Sequence, residues 1–199
     1  WLILIDSKKI RLFIIIAVIL LAVVFLIDNT TTVLKLVYPM KHKEFVFRYS
    51  KDYNIDPLLV FSIIKAESGF DKDAVSYRNA MGLMQITEET AVWGASEIGI
   101  ENFSVRDLFD PEINIKIGCW YLNRLMKEFD NDLDLIIAAY NGGSGNVKKW
   151  LKDSRYSSSP NKLDVIPFRE TERYLKKVKN NYYIYKKLYQ DEIRFYPNI

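Results

Sequence analysis

The chain has one cysteine, Cys119, and one histidine, His42, in 199 residues. That scarcity excludes much chemistry. A disulfide framework needs paired cysteines, a zinc site needs several His or Cys ligands, and a Ser-His or Cys-His nucleophile needs a well-placed imidazole. Cys119 reads as a small core residue and His42 as a surface residue, so no metal and no cofactor are expected. The chain also lacks a strong excess of one charge. A formal net charge of +3 is too small to argue for nucleic acid as a partner. The charge is unevenly spread, however: residues 39–147 hold 11 Lys/Arg against 17 Asp/Glu, and residues 148–199 hold 13 against 6. The basic last quarter suits either an anionic surface or a solvated helix face rich in Lys.

One long apolar run is present. Leu12–Ile27 is sixteen apolar residues without interruption, hydrophobic all round rather than on one face. It is a little short of the ~20 residues that span a bilayer, but Arg11 can snorkel to the interface. Lys8, Lys9 and Arg11 precede it and only Lys35 follows soon after, which places the N-terminus in the cytoplasm and the rest of the chain outside. A cleaved signal peptide is the rival reading. No small-residue cleavage pattern precedes Asp28-Asn29-Thr30, so a single-pass anchor over about 10–27 is expected. The first residue is Trp, so the true start is expected upstream. The domain reading is a cytoplasmic stub, anchor and short tether over 1–38, then one soluble domain over 39–199.

The soluble part reads as helical almost throughout. Pro39 suits a first helical position, with Phe45, Tyr49 and Tyr53 as its buried stripe. Asp56-Pro57 is an N-cap and N1 pair for a helix that runs to Glu67 and stops at Gly69. Residues 70–87 have no clean period and read as loop with a short β excursion at most. Further helices are expected over about 87–95, from Ile113 to Phe129, over about 132–141 closing on Gly142-Gly143, and from Pro167 onward. The last carries Tyr174, Val178, Tyr182, Tyr185 and Leu188/Tyr189 as its stripe, after a surface loop over 154–160. The expected class is all-α.

Glu67 is the first candidate for chemistry. Val60, Ile63, Ile64 and Glu67 fall at i, i+3, i+4 and i+7, so the carboxyl shares the apolar face. It also lies in the last turn, where the helix dipole disfavours another negative charge. Burial and dipole both raise its pKa, as a carboxylic acid that donates near neutral pH requires. The bland alternative is a solvated glutamate at the stripe's edge. Two more clusters are Gly82-Leu83-Met84-Gln85 and Ala139-Tyr140-Asn141-Gly142-Gly143-Ser144-Gly145-Asn146. The second lacks the Gly-Lys-Ser/Thr ending and the preceding strand of a phosphate cradle. It reads as a helix end and turn whose aromatic and amide groups would also suit a sugar.

Glu67-Ser68, Gly82-Leu83-Met84-Gln85, Ala139-Tyr140-Asn141 and Ile166-Pro167-Phe168-Arg169-Glu170-Thr171 occur in the order and approximate spacing of the four motifs of family 1 lytic transglycosylases. Asp56-Pro57-Leu58-Leu59 and Asp110-Pro111-Glu112-Ile113-Asn114 are similar too, and the resemblance covers about residues 45–185. It implies a lysozyme-like helical globule with goose-type lysozyme kinship and one catalytic glutamate, matching Glu67. Such an acid protonates the oxygen between N-acetylmuramic acid and N-acetylglucosamine in peptidoglycan. It then takes the proton of the muramic C6 hydroxyl, which closes a 1,6-anhydro ring. By the same resemblance Ser76 and Gln85 contact substrate, Tyr140 bonds Glu67 or the sugar, and Asn141 shapes that wall. Glu170 lines the far side of the groove or is simply a first-turn glutamate favoured by the dipole. Ser68 helps end its helix and Met84 is packing. Gly142 and Ser144 replace the usual Ala and Pro, which loosens the turn.

Three rivals stay open. A hydrolytic muramidase would need a second carboxylate, for which Asp71 and Asp73 are near in sequence. A non-catalytic cell-wall-binding protein could keep the fold. A membrane partner could act through the basic last helix. Endo against exo cleavage would depend on closure by loops such as 94–110 and 153–165.

Overall fold

The computed structural model describes residues 7–159 and 161–194, without the side chains of 7, 26–28 and 194. Residues 1–6 of the expected stub, Pro160 of the expected loop and residues 195–199 lie outside the described residues. The chain divides into two compact units, Trp1–Pro39 and Met40–Ile199.

The first unit holds α1 (Ser7–Asp28) and α2 (Thr30–Val37). Among the described residues no single helix is long and apolar enough to cross a membrane. Lys8–Phe25 and Thr30–Val37, bent by 59°, satisfy length and composition only as a pair. The uninterrupted run becomes one helix as expected, but that helix alone does not have the length and apolar character of the expected single span over 10–27.

The second unit is all helix and loop among the described residues, with only isolated β-bridges Val75–Met81, Met81–Ile86 and Ser159–Lys162. α3 (Lys43–Asp52) begins after His42, which sits in the left-handed region at φ 56°, not at Pro39. The buried residues of α3 are Val46, Phe47, Tyr49 and Ser50. Phe45 and Tyr53 are only half-buried, so the stripe is turned from the expected one. α4 (Pro57–Glu67) starts as its cap predicts, with Asp56 Oδ1 accepting from the Leu58 N–H at 2.8 Å. α5 (Glu88–Glu97) is capped by Thr87, α6 (Pro111–Glu128) by Asp110 and α7 (Leu133–Gly142) by Asp132. Between α5 and α6 lies a 3-10 turn, Val105–Phe109, in what reads from sequence as loop. α8 (Ser144–Leu151) was also expected as turn. Its short apolar pair, Val147 and Trp150, gives too few repeats for a period to be read. The turn before it is Gly143 alone, and Asn146 Nδ2 donates to the Gly142 carbonyl across it at 2.8 Å, so it is tied rather than loosened.

α9 (Arg169–Arg194) lies along α4. Tyr182 donates to Asp56, Asn181 Nδ2 to the Ser62 carbonyl at 3.2 Å, and Lys177 Nζ to the Ala66 carbonyl. Rising numbers on α4 meet falling numbers on α9, so the pair is antiparallel. Tyr185 stacks on Phe61 at 5.8 Å between centroids, and Val178 is fully buried. Burying side chains of this size contributes about 1.5–3 kcal/mol each. α4 is buried on nearly every side, since Leu58 through Ile64 are all core.

A buried amide braces the loop between α4 and α5. Asn114, fully buried on α6, donates from Nδ2 to the Met81 carbonyl (3.0 Å) and the Leu108 carbonyl (2.8 Å), and its Oδ1 accepts from the Met84 N–H (2.8 Å). Gly82 makes this close approach possible. It sits at φ +75°, and a Cβ there would lie 2.2 Å from both Asn114 Nδ2 and the Leu108 oxygen. Removing Asn114's amide takes the partner it supplies from the buried Met84 N–H and Leu108 carbonyl, each loss costing about 1–3 kcal/mol, while the Met81 carbonyl keeps the Ile86 N–H. Asn114→Ala is therefore expected to lower the urea midpoint by the equivalent of about 3 kcal/mol or more. Gly82→Ala should do comparable damage through clash and left-handed strain. A loss below about 1 kcal/mol for both would show that the loop is fixed otherwise.

Candidate functional site

Glu67 closes α4, where Ser68 and Gly69 (φ +61°) end the helix. The Ser68 hydroxyl donates to the Leu83 carbonyl at 2.8 Å and accepts from the Phe70 N–H at 3.1 Å. It terminates the helix, as expected, and also ties that end to the loop carrying Gln85. Glu67 is half-buried, and its carboxyl is pushed up from 4.5 to about 7. Burial is the largest cause, opposed by the Tyr174 hydroxyl and the Lys177 ammonium, while the Glu170 carboxylate adds to the rise.

Tyr174 and Lys177 are the residues that sequence reasoning missed. Tyr174 was counted as core, and it is buried. Its hydroxyl, however, has no partner within hydrogen-bond geometry; it faces Glu67 and lies near enough to stabilise that charge. Lys177 Nζ donates to the carbonyl of Ala66, the residue before Glu67, at 2.5 Å. The available signal was spacing: Glu170, Tyr174 and Lys177 fall at i, i+4 and i+7 on α9, one helical face.

The other predicted residues surround this point with much of their bonding capacity already used. Gln85 sits at φ 50°, uncommon for a residue with a side chain, and its Nε2 donates to the Ala74 (3.0 Å) and Gly82 (2.9 Å) carbonyls. Only its Oε1 is left to accept. Ser76 Oγ accepts from the Ala80 N–H (3.0 Å) and the Arg78 N–H (3.3 Å), leaving its proton to donate. The Tyr140 hydroxyl donates to the Met84 carbonyl at 2.9 Å, not to Glu67. Tyr140 thus braces the loop, and burial with the nearby Glu67 carboxyl raises its pKa well above the ordinary value. Asn141 Oδ1 accepts from Thr171 Oγ1 at 2.8 Å, which locks α7 to α9. Met84 is fully buried, as packing.

Glu170 stands exposed on the far side. Its Oε2 accepts from Arg78 Nη2 at 3.0 Å and the Tyr77 hydroxyl at 3.3 Å, which joins the Ser76–Arg78 loop to α9. Asp71 and Asp73 are exposed; Asp73 pairs with Lys72 at 2.9 Å, and neither perturbs Glu67. A cavity of about 340 Å³ is lined by Gln85, Tyr140 and Asn141 together with Glu89, Trp93 and Tyr121. A larger cavity of about 550 Å³, by Lys148 and Ser157–Ser159, contains none of the candidate residues. Glu67 lines neither cavity, but it is a half-buried acid within the influence of Tyr140, Tyr174, Lys177 and Glu170, a cluster of the kind expected of a reactive site.

A family model described as the transglycosylase SLT domain matches residues 44–162, more than half of the chain. The soluble lytic murein transglycosylase of Escherichia coli (strain K12) is 33% identical over 148 residues, covering 71% of this chain and 22% of that protein. The membrane-bound lytic murein transglycosylase C of Salmonella arizonae is 31% identical over 172 residues, covering 74% of this chain and 47% of that protein. Among solved structures, an inactive mutant of lytic transglycosylase Slt from Pseudomonas aeruginosa superposes with a TM-score of 0.70 at 34% identity. The 70 kDa soluble lytic transglycosylase from Escherichia coli does so with a TM-score of 0.71 at 32% identity. Each structural match covers 77% of this chain and 25% of the other. The chain thus spans from about a fifth to about half the length of the relatives it matches. The helical architecture is the lysozyme-like one that the four motifs imply, and the chain belongs to the transglycosylase SLT domain family.

Proposed function

We propose that the chain is a peptidoglycan lytic transglycosylase in which Glu67 is the only catalytic carboxyl. The observation that carries this reading is a half-buried carboxyl whose pKa is pushed up to about 7, with Glu170, held by Arg78, as the one carboxylate among the described residues that acts on it. A general acid works best when its pKa lies near the working pH, because it must both hold and release a proton. Protonated Glu67 donates to the glycosidic oxygen between N-acetylmuramic acid and N-acetylglucosamine as that bond breaks. The resulting carboxylate, stabilised by Tyr174 and Lys177, accepts the C6 hydroxyl proton as that oxygen bonds to the anomeric carbon. The proton count closes, and the product is a 1,6-anhydromuramoyl end.

A hydrolase needs a second carboxylate as nucleophile or to activate water. The one carboxylate that acts on Glu67 is Glu170, and it is engaged by Arg78 and Tyr77. That engagement favours the intramolecular route over the muramidase reading. Ser76, through its free proton, and Gln85, through Oε1, are the polar groups proposed to hold the sugar, with Asn141 and Glu170 shaping the two sides. Tyr140 is proposed to act through the loop it braces.

Relatives described as membrane-bound support a membrane-associated protein, tethered through residues 1–38 with the catalytic domain over 39–199. The break between units after Pro39 supports that division. The N-terminal basic cluster Lys8, Lys9 and Arg11 supports a cytoplasmic N-terminus and an extracytoplasmic domain.

Digestion of purified peptidoglycan should release anhydromuramoyl fragments detectable by mass spectrometry. Reducing muramic ends in their place would sink the transglycosylase reading. Glu67→Gln should reduce release by about 100-fold or more. The same variant should not lose stability. A carboxyl whose folded pKa is raised contributes most below its unfolded value of 4.5 and loses that contribution as pH climbs through about 7. The melting temperature of Glu67→Gln should therefore exceed that of the parent at pH 8, with the difference shrinking at pH 4. The alkaline limb of kcat/KM reports the same carboxyl. Lys177→Met removes a cation that lowers it, so the limb should move up in pH, and Glu170→Gln removes an anion that raises it, so the limb should move down. Shifts of one sign in both variants would refute the electrostatic account.

A further inference from the structure

Side-chain contacts join the segments around Glu67 into a closed circuit. The Tyr140 hydroxyl donates to the Met84 carbonyl at 2.9 Å, tying the end of α7 to the loop. Asn141, the next residue, accepts from Thr171 Oγ1 at 2.8 Å, tying α7 to α9. Glu170, the residue before Thr171, accepts from Arg78 Nη2 at 3.0 Å, and the backbone from Arg78 to Met84 completes the circuit. Glu67 borders it. Ser68, the next residue, donates to the Leu83 carbonyl, and Tyr140 and Glu170 both lie within electrostatic reach of Glu67.

The joints of this circuit are unequal. Thr171 is buried and Tyr140 half-buried, so water competes poorly for their bonds. The Arg78 and Glu170 side chains are 59% and 53% exposed. An ion pair so open to water holds weakly and is screened by salt.

The turn that carries Arg78 is, by contrast, fixed. Ser76 Oγ accepts from the Arg78 and Ala80 N–H groups, the Ser76 N–H donates to the Ala80 carbonyl at 2.9 Å, and the Asn79 N–H donates to the Ser76 carbonyl at 3.0 Å. Tyr77 donates its hydroxyl to Glu170 at 3.3 Å, and the Arg78 guanidinium lies over the Tyr77 ring at 5.1 Å. The circuit therefore opens by a swing of exposed side chains, with the backbone left in place.

A closed circuit can be entered by the end of a polymer but not by its middle. We infer that Arg78 is a specificity-determining residue: paired with Glu170 it closes the frame beside Glu67, so that a glycan strand enters by an end, and parting of the pair admits the interior of a strand. The inference rests on the glycan-cleaving reading and adds which bonds along a strand are reached. Because an exposed pair is worth little, it sets a bias of about fivefold toward ends, not an absolute barrier. Arg78 belongs to none of the four motifs that carry the family resemblance. Control of strand entry is thereby assigned to the turn over 76–80, where the sequence pointed to the loops over 94–110 and 153–165.

The test uses the full chain in detergent micelles. Long glycan strands freed of peptide and fluorescent at one end are digested to equal extent by each variant, and the products are sized. The parent should release mainly terminal disaccharides. Arg78→Gln should raise the share of internal cuts about fivefold, and added salt should act likewise on the parent but not on that variant. Arg78→Glu should also favour internal cuts. Combining it with Glu170→Arg, which restores a pair with its charges exchanged, should return the lengths toward those of the parent. A second arm needs no cleavage and uses Glu67→Gln. There Arg78→Gln should speed association of a β-1,4-linked N-acetylglucosamine hexamer blocked by bulky groups at both ends about fivefold, while the rate for a free-ended hexamer barely moves. Unchanged product lengths in Arg78→Gln overturn the inference, as does equal acceleration of both hexamers. If the parent releases no fragments but the blocked hexamer alone is accelerated, the cleavage reading fails and the control of entry stands.

Discussion

The antiparallel contact between α4 and α9 is the constraint on which the site depends. α4 alone would present Glu67 at a helix end with nothing opposite it. Packing α9 alongside, with Tyr185 stacked on Phe61 and Val178 buried, sets a register. In that register Tyr182 reaches the N-cap Asp56 and Lys177 reaches the carbonyl of Ala66. Tyr174 and Glu170 then fall beside Glu67 with no further adjustment. One helical turn of slip, ~5.4 Å, would remove the cation and the phenol from the carboxyl together. Core packing and acid strength are therefore not separable here.

The second support is the loop from Asp71 to Thr87, whose buried apolar side chains are concentrated in Leu83, Met84 and Ile86. It is held by polar groups brought from elsewhere: Asn114 from α6, Ser68 from the end of α4, and Tyr140 from α7. Each satisfies a backbone group that burial would otherwise leave unpaired. Even Gln85 uses both donors to hold its own loop, at a left-handed backbone angle. The consequence is a rim whose polar atoms are largely engaged, so on the proposed function a sugar would meet donors and acceptors that are already oriented. Preorganisation of this kind costs nothing at the moment of reaction.

Much of this was legible in the sequence because it is written in local signals. The Asp56-Pro57 and Asp110-Pro111 pairs mark helix starts, and the structure has caps at both. The rise in the Glu67 pKa followed from its place on an apolar stripe in a last turn. What was not legible is what depends on register between distant segments. Tyr140 bonds Met84 and not Glu67, because the choice between two acceptors is set by how α7 meets the loop. Tyr174 looked like one more core aromatic, since periodicity reports that a residue faces inward and not what its hydroxyl meets. α8 and the 3-10 turn were missed because each is too short to repeat an apolar period. The start of α3 was misplaced for a similar reason: a proline permits a helix start without requiring one, and His42 takes the left-handed angle instead.

On the proposed mechanism, a single carboxyl that is acid in one step and base in the next faces opposed demands. Burial alone would keep the proton on Glu67, making a reluctant donor and an unstable carboxylate. Charge stabilisation alone would leave it ionised at the start. Here burial raises the pKa, Tyr174 and Lys177 restrain the rise, and Glu170 adds a little back from across the groove. The outcome near pH 7 is a balance, and the two restraining groups come from one helix face that also fixes the core. Such a balance does not require a partner carboxylate. It requires the substrate to bring its own nucleophile within reach, which makes how firmly the strand is held a part of the chemistry.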